Sequence, residues 1–141
     1  MKDAISSQSP ILTFGPVSPT ADVIGATVDL AGFESAAIEL QVGIGGITFT
    51  DENKIAFVAE HSDDGSVWVK VADKDINGKT GITNGILLSL EAAHAAPVVY
   101  KYGYHGGKRY LRVSPDFSGT HGTGTPMSCL IVRGNPERKV V

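Results

Sequence analysis

Cysteine is almost absent from the chain, since Cys129 is the only one in 141 residues. A single thiol excludes an intrachain disulfide framework, and its place in the apolar run MSCLIV predicts a small buried side chain. The sequence also lacks an apolar run near the roughly 18 residues that a membrane-spanning helix needs. Its polar start, MKDAISSQSP, is unlike a secretory signal peptide, which favours synthesis and folding in a cytoplasm.

Charge of either sign is also sparse. Charged residues make up 19% of the chain and the net charge is −3, so the broad basic field of a nucleic-acid or anionic-membrane binder is missing. We therefore expect neither nucleic acid nor membrane as a partner. At 42% hydrophobic residues the chain is too apolar for a disordered protein, and its length fits one domain with a core of its own.

Glycine and proline are frequent instead, with 17 and 7 residues, and this favours many short strands over a few long helices. Apolar residues alternate with polar ones wherever a period is visible. The alternation predicts strands at ATVDL, AAIELQV, KIAFVAE, SVWVKV, GILLSL, VVYKYGY, KRYLRV and MSCLIV. The only helix candidate is LSLEAAHAA, and its first half also fits a strand.

Two hairpins are expected, one turning at Asp63–Gly65 and one at His105–Gly107. About eight strands with turns between them predict an all-β fold, a β-sandwich of jelly-roll type. We expect one domain over residues 1–141, with polar arms at about 1–10 and 136–141 outside the core. The predicted buried residues are Ile38, Leu40, Val42, Phe57, Val69, Leu111, Val113 and Ile131. The residues predicted to face solvent are Glu39, Gln41 and Lys70.

The segment NGKTG, Asn77–Gly81, invites a phosphate-binding interpretation that its spacing contradicts. A phosphate loop needs a glycine five residues before Gly78, and Asp73 stands there. The overlapping DKDING resembles the first half of a calcium loop, with Asp73, Asp75 and Asn77 at alternate positions. The twelfth position of that loop would be Asn84 instead of glutamate. Because tight turns select the same residue types, we expect an ordinary loop without a bound cation.

No other pattern indicates catalysis. The four histidines, His61, His94, His105 and His121, have no ligand spacing and are expected to face solvent. The adjacent Asp63 and Asp64 suit a solvated turn and not an acid/base pair. No nucleophile elbow is present. The sequence therefore predicts no enzymatic activity, no metal and no cofactor.

Tyrosines form the one aromatic pattern. Tyr100, Tyr102 and Tyr104 fall on one face of a predicted strand, and Tyr110 follows on the next. Such a row stacks sugars in some proteins, and in others it packs a sheet face or a subunit contact. The sequence leaves these alternatives open.

Two stretches carry a family resemblance, SDDGSVW at 62–68 and KRYLRV at 108–113. Together with the strand segment ATVDLAGFESAAIELQVG and the last apolar strand ending near Gly-Asn-Pro, they resemble the head-decoration or cement proteins of tailed bacteriophages. The resemblance covers about residues 25–136. SDDGSVW is also similar to a turn in discoidin-like carbohydrate- and lipid-binding domains.

The resemblance implies a virion protein that is made in the host cytoplasm. Such a protein binds the outer surface of the capsid, and its partners are the major capsid protein and other copies of itself, as a dimer or trimer. The alternatives are a carbohydrate-binding module that uses the tyrosine face and the turn loops, or a tail or neck component of the same virus. The candidate contact residues are Ile11, Leu12, Phe14, Tyr100, Tyr102, Tyr104, Arg133, Arg138 and Lys139.

Overall fold

The computed structural model describes residues 3–137 and arranges them in ten β-strands. The strands are β1 (Gln8–Val17), β2 (Val28–Asp29), β3 (Phe33–Val42), β4 (Lys54–Ser62), β5 (Val69–Lys70), β6 (Ile76–Asn77), β7 (Ile86–Leu90), β8 (Val98–Tyr104), β9 (Tyr110–Ser118) and β10 (Met127–Pro136). One 3₁₀ turn at Asp73–Asp75 is the only helical element in the described part of the chain. The segment LSLEAAHAA therefore holds the end of β7 and no helix.

Two antiparallel sheets pack into a β-sandwich, as the sequence predicts. The first sheet has the order β1-β10-β3-β8-β6. The second has the order β2-β9-β4-β5, and β7 pairs with β4 as well. From β1 to β4 and again from β6 to β10, successive strands alternate between the sheets. This alternation favours the jelly-roll type, which stays a prediction.

The core lies between the sheets and confirms most of the predicted facing. In β3, Ile38 stands opposite Ile131 of β10 and Leu40 stands opposite Cys129, and all four side chains are fully buried. Val42, Phe57, Leu111 and Val113 are buried too, whereas Lys70 is exposed and Glu39 and Gln41 are half-buried on the outside. Burial raises the pKa of the Cys129 thiol, as expected for a small core side chain.

Val69 is the exception, since its side chain is 51% exposed. The hairpin of β4 and β5 forms as predicted, with Glu60 opposite Lys70. However, β5 is only two residues long and lies at the sheet edge, so the alternation in SVWVKV does not run across a buried surface. Val67 is exposed as well, and Val71 alone reaches the core.

The second predicted hairpin is wrong. β8 belongs to the first sheet and β9 to the second, so the segment between Tyr104 and Tyr110 crosses from one sheet to the other. Both strands point apolar residues at the same core from opposite sides, and neither pairs with the other. The His105–Gly107 segment resembles a hairpin turn, but Gly106 has another role. It lets the backbone lie close to the Tyr104 ring, since a Cβ atom there would come within 2.7 Å of the ring.

The predicted arms are shorter than expected. Residues Gln8–Pro10 belong to β1, which pairs with β10 along the edge of the first sheet. Pro10 and Pro16 hide this strand in the sequence, although an edge strand tolerates proline. At the other end β10 continues to Pro136, opposite Phe33. Arg138 and Lys139 lie outside the described residues.

Candidate functional surface

β1 holds the first three candidate contact residues. Ile11 and Leu12 are 37% and 45% exposed, so both are available to a partner. Phe14 is not available, because its ring is buried and lies nearly parallel to that of Phe57, with ring centroids 6.3 Å apart. Phe14 is therefore part of the core.

The tyrosine row of β8 points inward. Tyr102 and Tyr104 are buried opposite Ile38 and Ala36, and burial raises the pKa of each phenol to about 12. Tyr100 is half-buried, and its hydroxyl lies 3.0 Å from Nε2 of His94. The row thus packs the inner face of the first sheet and presents no open aromatic surface to a sugar.

Arg133 is held inside the fold by several contacts. Its guanidinium lies 4.5 Å from the ring centroid of Phe33. Nη1 donates to the carbonyl of Asp29 at 3.1 Å and Nη2 donates to Oγ of Ser9 at 2.6 Å. Arg133 therefore ties β10 to β1 and to β2 of the other sheet, and several of its N–H groups are already used within the fold.

The SDDGSVW loop is a turn stabilised by its own side chains. The Asp64 carboxylate accepts hydrogen bonds from the N–H groups of Ser66 and Val67 at 2.8 and 2.9 Å, and these bonds lower its pKa. Gly65 has a φ of 77°, which favours glycine. Trp68 then packs on the second sheet, with the Arg112 guanidinium 4.0 Å from its ring centroid.

The DKDING loop uses its carboxylates internally. Asp73 accepts hydrogen bonds from the N–H groups of Gly81 and Ile82, and Asp75 accepts one from the N–H of Ala72 at 2.9 Å. Asn77 lies in β6. Among residues 3–137, no group of three or more His, Cys, Asp or Glu side chains is placed to hold a metal ion.

The histidines do not all face solvent, contrary to expectation. His61 and His121 are buried, His94 is half-buried and only His105 is exposed. Nε2 of His121 donates a hydrogen bond to the Ser118 carbonyl at 2.8 Å, and the imidazole meets the ring of Phe117 edge to face. As neutral rings, histidines can fill core positions when their nitrogens have partners.

His61 stands at the centre of a buried polar cluster that links the two sheets. Its Nδ1 lies 2.7 Å from the hydroxyl of Tyr104 on β8, and its Nε2 lies 3.9 Å from Oδ2 of Asp75. The Tyr104 hydroxyl also accepts a hydrogen bond from the N–H of Lys108 at 3.2 Å. The alternation in β4 could have predicted that His61 is buried, because His61 follows Phe57 and Ala59 on the inward face.

Acid is expected to destabilise the fold through His61. Burial lowers its pKa, with the Asp75 carboxylate acting in the opposite direction, so the folded state favours the neutral ring. The stabilisation is complete above the unfolded pKa of about 6.5 and is lost as pH falls below it, by at most about 1.4 kcal/mol per pH unit. Urea unfolding at pH 7.5 and pH 5.5 measures this loss.

The matched control for this experiment is His105→Gln, since His105 is exposed. His61→Gln should flatten the pH dependence of the unfolding free energy between pH 5.5 and 7.5, whatever its effect on absolute stability. His105→Gln should leave the dependence unchanged. An unaltered slope in His61→Gln would show that another group carries the acid sensitivity.

The outer faces of the two sheets differ sharply in charge. The outward positions of the first sheet are Gln8, Pro10 and Leu12 of β1, Ser128, Leu130, Val132 and Gly134 of β10, Ser35, Ala37, Glu39 and Gln41 of β3, and Val99, Lys101 and Gly103 of β8. Glu39 and Lys101 are the only charged residues in this set, and they are cross-strand partners.

The second sheet presents ion pairs on its outer face. Arg112 and Glu60 are cross-strand partners with Nη2 and Oε1 3.3 Å apart. Arg109 binds both carboxylate oxygens of Asp29 at 2.9 and 3.0 Å, and this contact lowers the pKa of Asp29 to about 2. The second sheet thus resembles an ordinary solvated surface, whereas the first has an apolar centre formed by Leu12, Leu130, Val132 and Ala37.

A shallow depression of about 710 Å³ crosses four strands at one end of the first sheet. Its lining contains no charged residue and includes Pro16, Val17, Pro97, Val98, Val99 and Pro126. Val17, Val98 and Val99 are 44%, 39% and 58% exposed. Gln41 and Ser128 form a hydrogen bond at its floor. Exposed apolar surface of this kind is typical of protein contact sites.

A second depression, of about 500 Å³, lies beside Lys108 and Arg109. Both cations are already paired, Lys108 with Asp63 at 2.7 Å and Arg109 with Asp29. This place therefore offers no free cation to an anionic ligand.

In the part of the chain that the structure describes, no helix is long and apolar enough to cross a membrane. Comparisons with protein-family models, with curated proteins and with solved structures find no match to this chain.

Proposed function

We propose that the chain is a structural protein of a tailed bacteriophage that binds the outer surface of the capsid and strengthens contacts between capsomers. Its partner is the major capsid protein, and its place is the virion after synthesis in the host cytoplasm. The mechanism is burial of surface repeated over many copies, with no reaction chemistry. The resemblance of SDDGSVW and KRYLRV to decoration proteins motivates the proposal.

The observation that carries the proposal is the difference between the two outer faces. The face centred on Leu130 and Val132 bears only two charged residues, the cross-strand neighbours Glu39 and Lys101, while the opposite face bears two ion pairs. A protein that docks on a flat shell needs one surface with few charged groups, because removing charges from water is costly even when they are paired. The first sheet meets this requirement and the second does not.

The carbohydrate alternative loses its main support, because Tyr102 and Tyr104 are buried and Tyr100 is half-buried. A tail or neck component would use the same kind of apolar face as a capsid protein. A capsid protein and a tail or neck component differ in their position on the virion. Labelling of this protein on intact particles, followed by electron microscopy, reveals that position.

Co-sedimentation with capsids of the virus that encodes the chain tests the proposal. The intact protein should sediment with the particles, and Val132→Lys should bind at least about tenfold more weakly, since it places a charge at the centre of the face. Val67→Lys is the matched control, because Val67 is 68% exposed in the SDDGSVW loop. Equal binding of both variants would refute the assigned face. Failure of the intact protein to bind capsids, together with binding to immobilised glycans, would refute the function.

A further inference from the structure

The segment that leads from β8 to β9 lies directly over His61. A Cβ atom at Gly106 would lie 2.9 Å from Nδ1 of His61 and 2.8 Å from the Tyr104 hydroxyl. His61 and Tyr104 are 4% and 5% exposed. No water molecule fits between the two rings and a backbone this close to them. We call residues 105–108 the crossover segment.

The Tyr104 hydroxyl fixes the tautomer of His61. Its oxygen accepts a hydrogen bond from the N–H of Lys108 at 3.2 Å and lies 2.7 Å from Nδ1 of His61. If Nδ1 carried the hydrogen, the hydroxyl would accept two bonds, and its own proton would have no acceptor among the described residues. The hydroxyl therefore donates to Nδ1. The hydrogen of the neutral imidazole is on Nε2, which faces the Asp75 carboxylate at 3.9 Å.

A second proton on His61 breaks this arrangement. The proton goes to Nδ1 and turns that nitrogen into a donor, so the Tyr104 hydroxyl can no longer donate to it. The hydroxyl keeps its bond to Lys108 only if its own proton stays without an acceptor in a buried site, which is costly. Burial also disfavours the charged imidazole more strongly than the Asp75 carboxylate favours it.

Two further contacts hold the crossover segment in place. The N–H of His105 donates to the carbonyl of Asp75 at 2.9 Å, and Nζ of Lys108 lies 2.7 Å from Oδ2 of Asp63. The second contact is weak, because the Asp63 side chain is 74% exposed and exposed ion pairs add little. Gly107 has a φ of 75°, and without a side chain it can change conformation at low cost.

We propose that the crossover segment is an acid-sensitive latch, which opens when His61 takes up a proton while both sheets stay folded. The opening ends at Arg109, whose carbonyl accepts a hydrogen bond from the N–H of Leu30 at 2.7 Å. In the open state, water solvates the imidazolium and the Tyr104 hydroxyl. The latch does not depend on the proposed function. The titratable groups that face His61 are Tyr104, Asp63, Lys74, Asp75 and Lys108.

Hydrogen exchange measured by NMR on the intact protein tests the latch. The protection factor of the Lys108 amide should fall by about tenfold between pH 7.5 and pH 5.5. This is the change expected for one group that is protonated in the open state with a pKa of about 6.5 and stays neutral in the closed state. An amide whose protection is the same at both pH values would refute the latch.

The Leu40 amide is the internal reference for global unfolding. Leu40 is fully buried in β3, between β10 and β8, and its amide exchanges when the whole fold opens. The Lys108 amide should be less protected than the Leu40 amide at both pH values. Equal protection of the two amides would overturn the proposal, because the crossover segment would then open only with the entire fold.

Three variants assign the effect to its side chains. His61→Gln has no titratable group at this position, so protection of the Lys108 amide should no longer depend on pH. His105→Gln is the matched control and should keep the fall, since the His105 side chain is exposed. Tyr104→Phe removes the acceptor of the Lys108 N–H and should lower its protection at pH 7.5 by about fivefold or more. A pH dependence that survives in His61→Gln, or full protection in Tyr104→Phe, would contradict the mechanism.

The nitrogen chemical shifts of the His61 imidazole test the tautomer directly. At pH 7.5 they should show the form with hydrogen on Nε2. The form with hydrogen on Nδ1 would overturn the proposal, because the Tyr104 hydroxyl would then already accept from His61, and a further proton on the ring would not disturb the bond to Lys108.

Discussion

Phe57→Ala is expected to lower the free energy of unfolding by about 3–5 kcal/mol, the usual cost of deleting a large buried aromatic side chain. Phe57 is fully buried on the inward face of β4, between its partners Pro115 on β9 and Leu88 on β7. Its ring also contacts Phe14 from the first sheet. Truncation thus opens a cavity at the place where both sheets meet.

Urea denaturation measures this loss, which is a large part of the 5–15 kcal/mol that stabilises a typical domain. The control is Val67→Ala, because Val67 is exposed and its truncation should change stability by no more than about 0.5 kcal/mol. A loss below about 1 kcal/mol for Phe57→Ala would mean that the surrounding side chains collapse into the vacated space.

The sequence predicted the sandwich because its signal was local. In β3 the alternation of Ile38, Leu40 and Val42 with polar neighbours is enough to fix which face is buried. β1 was missed because Pro10 and Pro16 resemble loop residues, and the cost of proline in a strand vanishes only at an edge that the sequence does not reveal. The pairing of β8 with β3, and not with β9, depends on long-range packing that no turn motif encodes.

The candidate surface was less predictable than the fold. Ile11 and Leu12 are exposed and stay predicted contact residues, whereas Phe14, Tyr102 and Tyr104 are buried. A period of two shows that residues share a face but does not say which face is covered by a second sheet. The contrast in charge between the two outer faces needs the strand order, because its members come from distant parts of the chain.

The buried polar contacts were invisible for the same reason. Thr13 on β1 donates from Oγ1 to the carbonyl of Ala26 at 2.9 Å, and its Oγ1 accepts from the N–H of Val113 at 3.3 Å. In this way one hydroxyl connects β1, the segment before β2, and β9 of the other sheet. Gly25 lies next to this contact, and its N–H donates to Oγ of Ser114 at 2.9 Å.

Gly25→Ala is expected to destabilise the fold by about 3 kcal/mol or more, at the upper end of the cost of overpacking. A Cβ atom at this position would lie 1.9 Å from the Val113 carbonyl oxygen and 2.7 Å from Oγ1 of Thr13. The first of these atoms belongs to the backbone of β9. The clash can therefore be removed only if the segment before β2 moves away from β9. That movement would also break the Thr13 and Ser114 hydrogen bonds.

Gly122→Ala provides the matched comparison, since a Cβ atom there would meet no heavy atom within 4 Å and its backbone is not left-handed. This variant should be neutral or stabilised by up to about 1 kcal/mol through the lower entropy of the unfolded chain. Thermal and urea unfolding of the two variants side by side measure the difference. If Gly25→Ala proved as stable as Gly122→Ala, then the segment before β2 would not be clamped between β1 and β9, and the contact that joins the two sheets there would be dispensable.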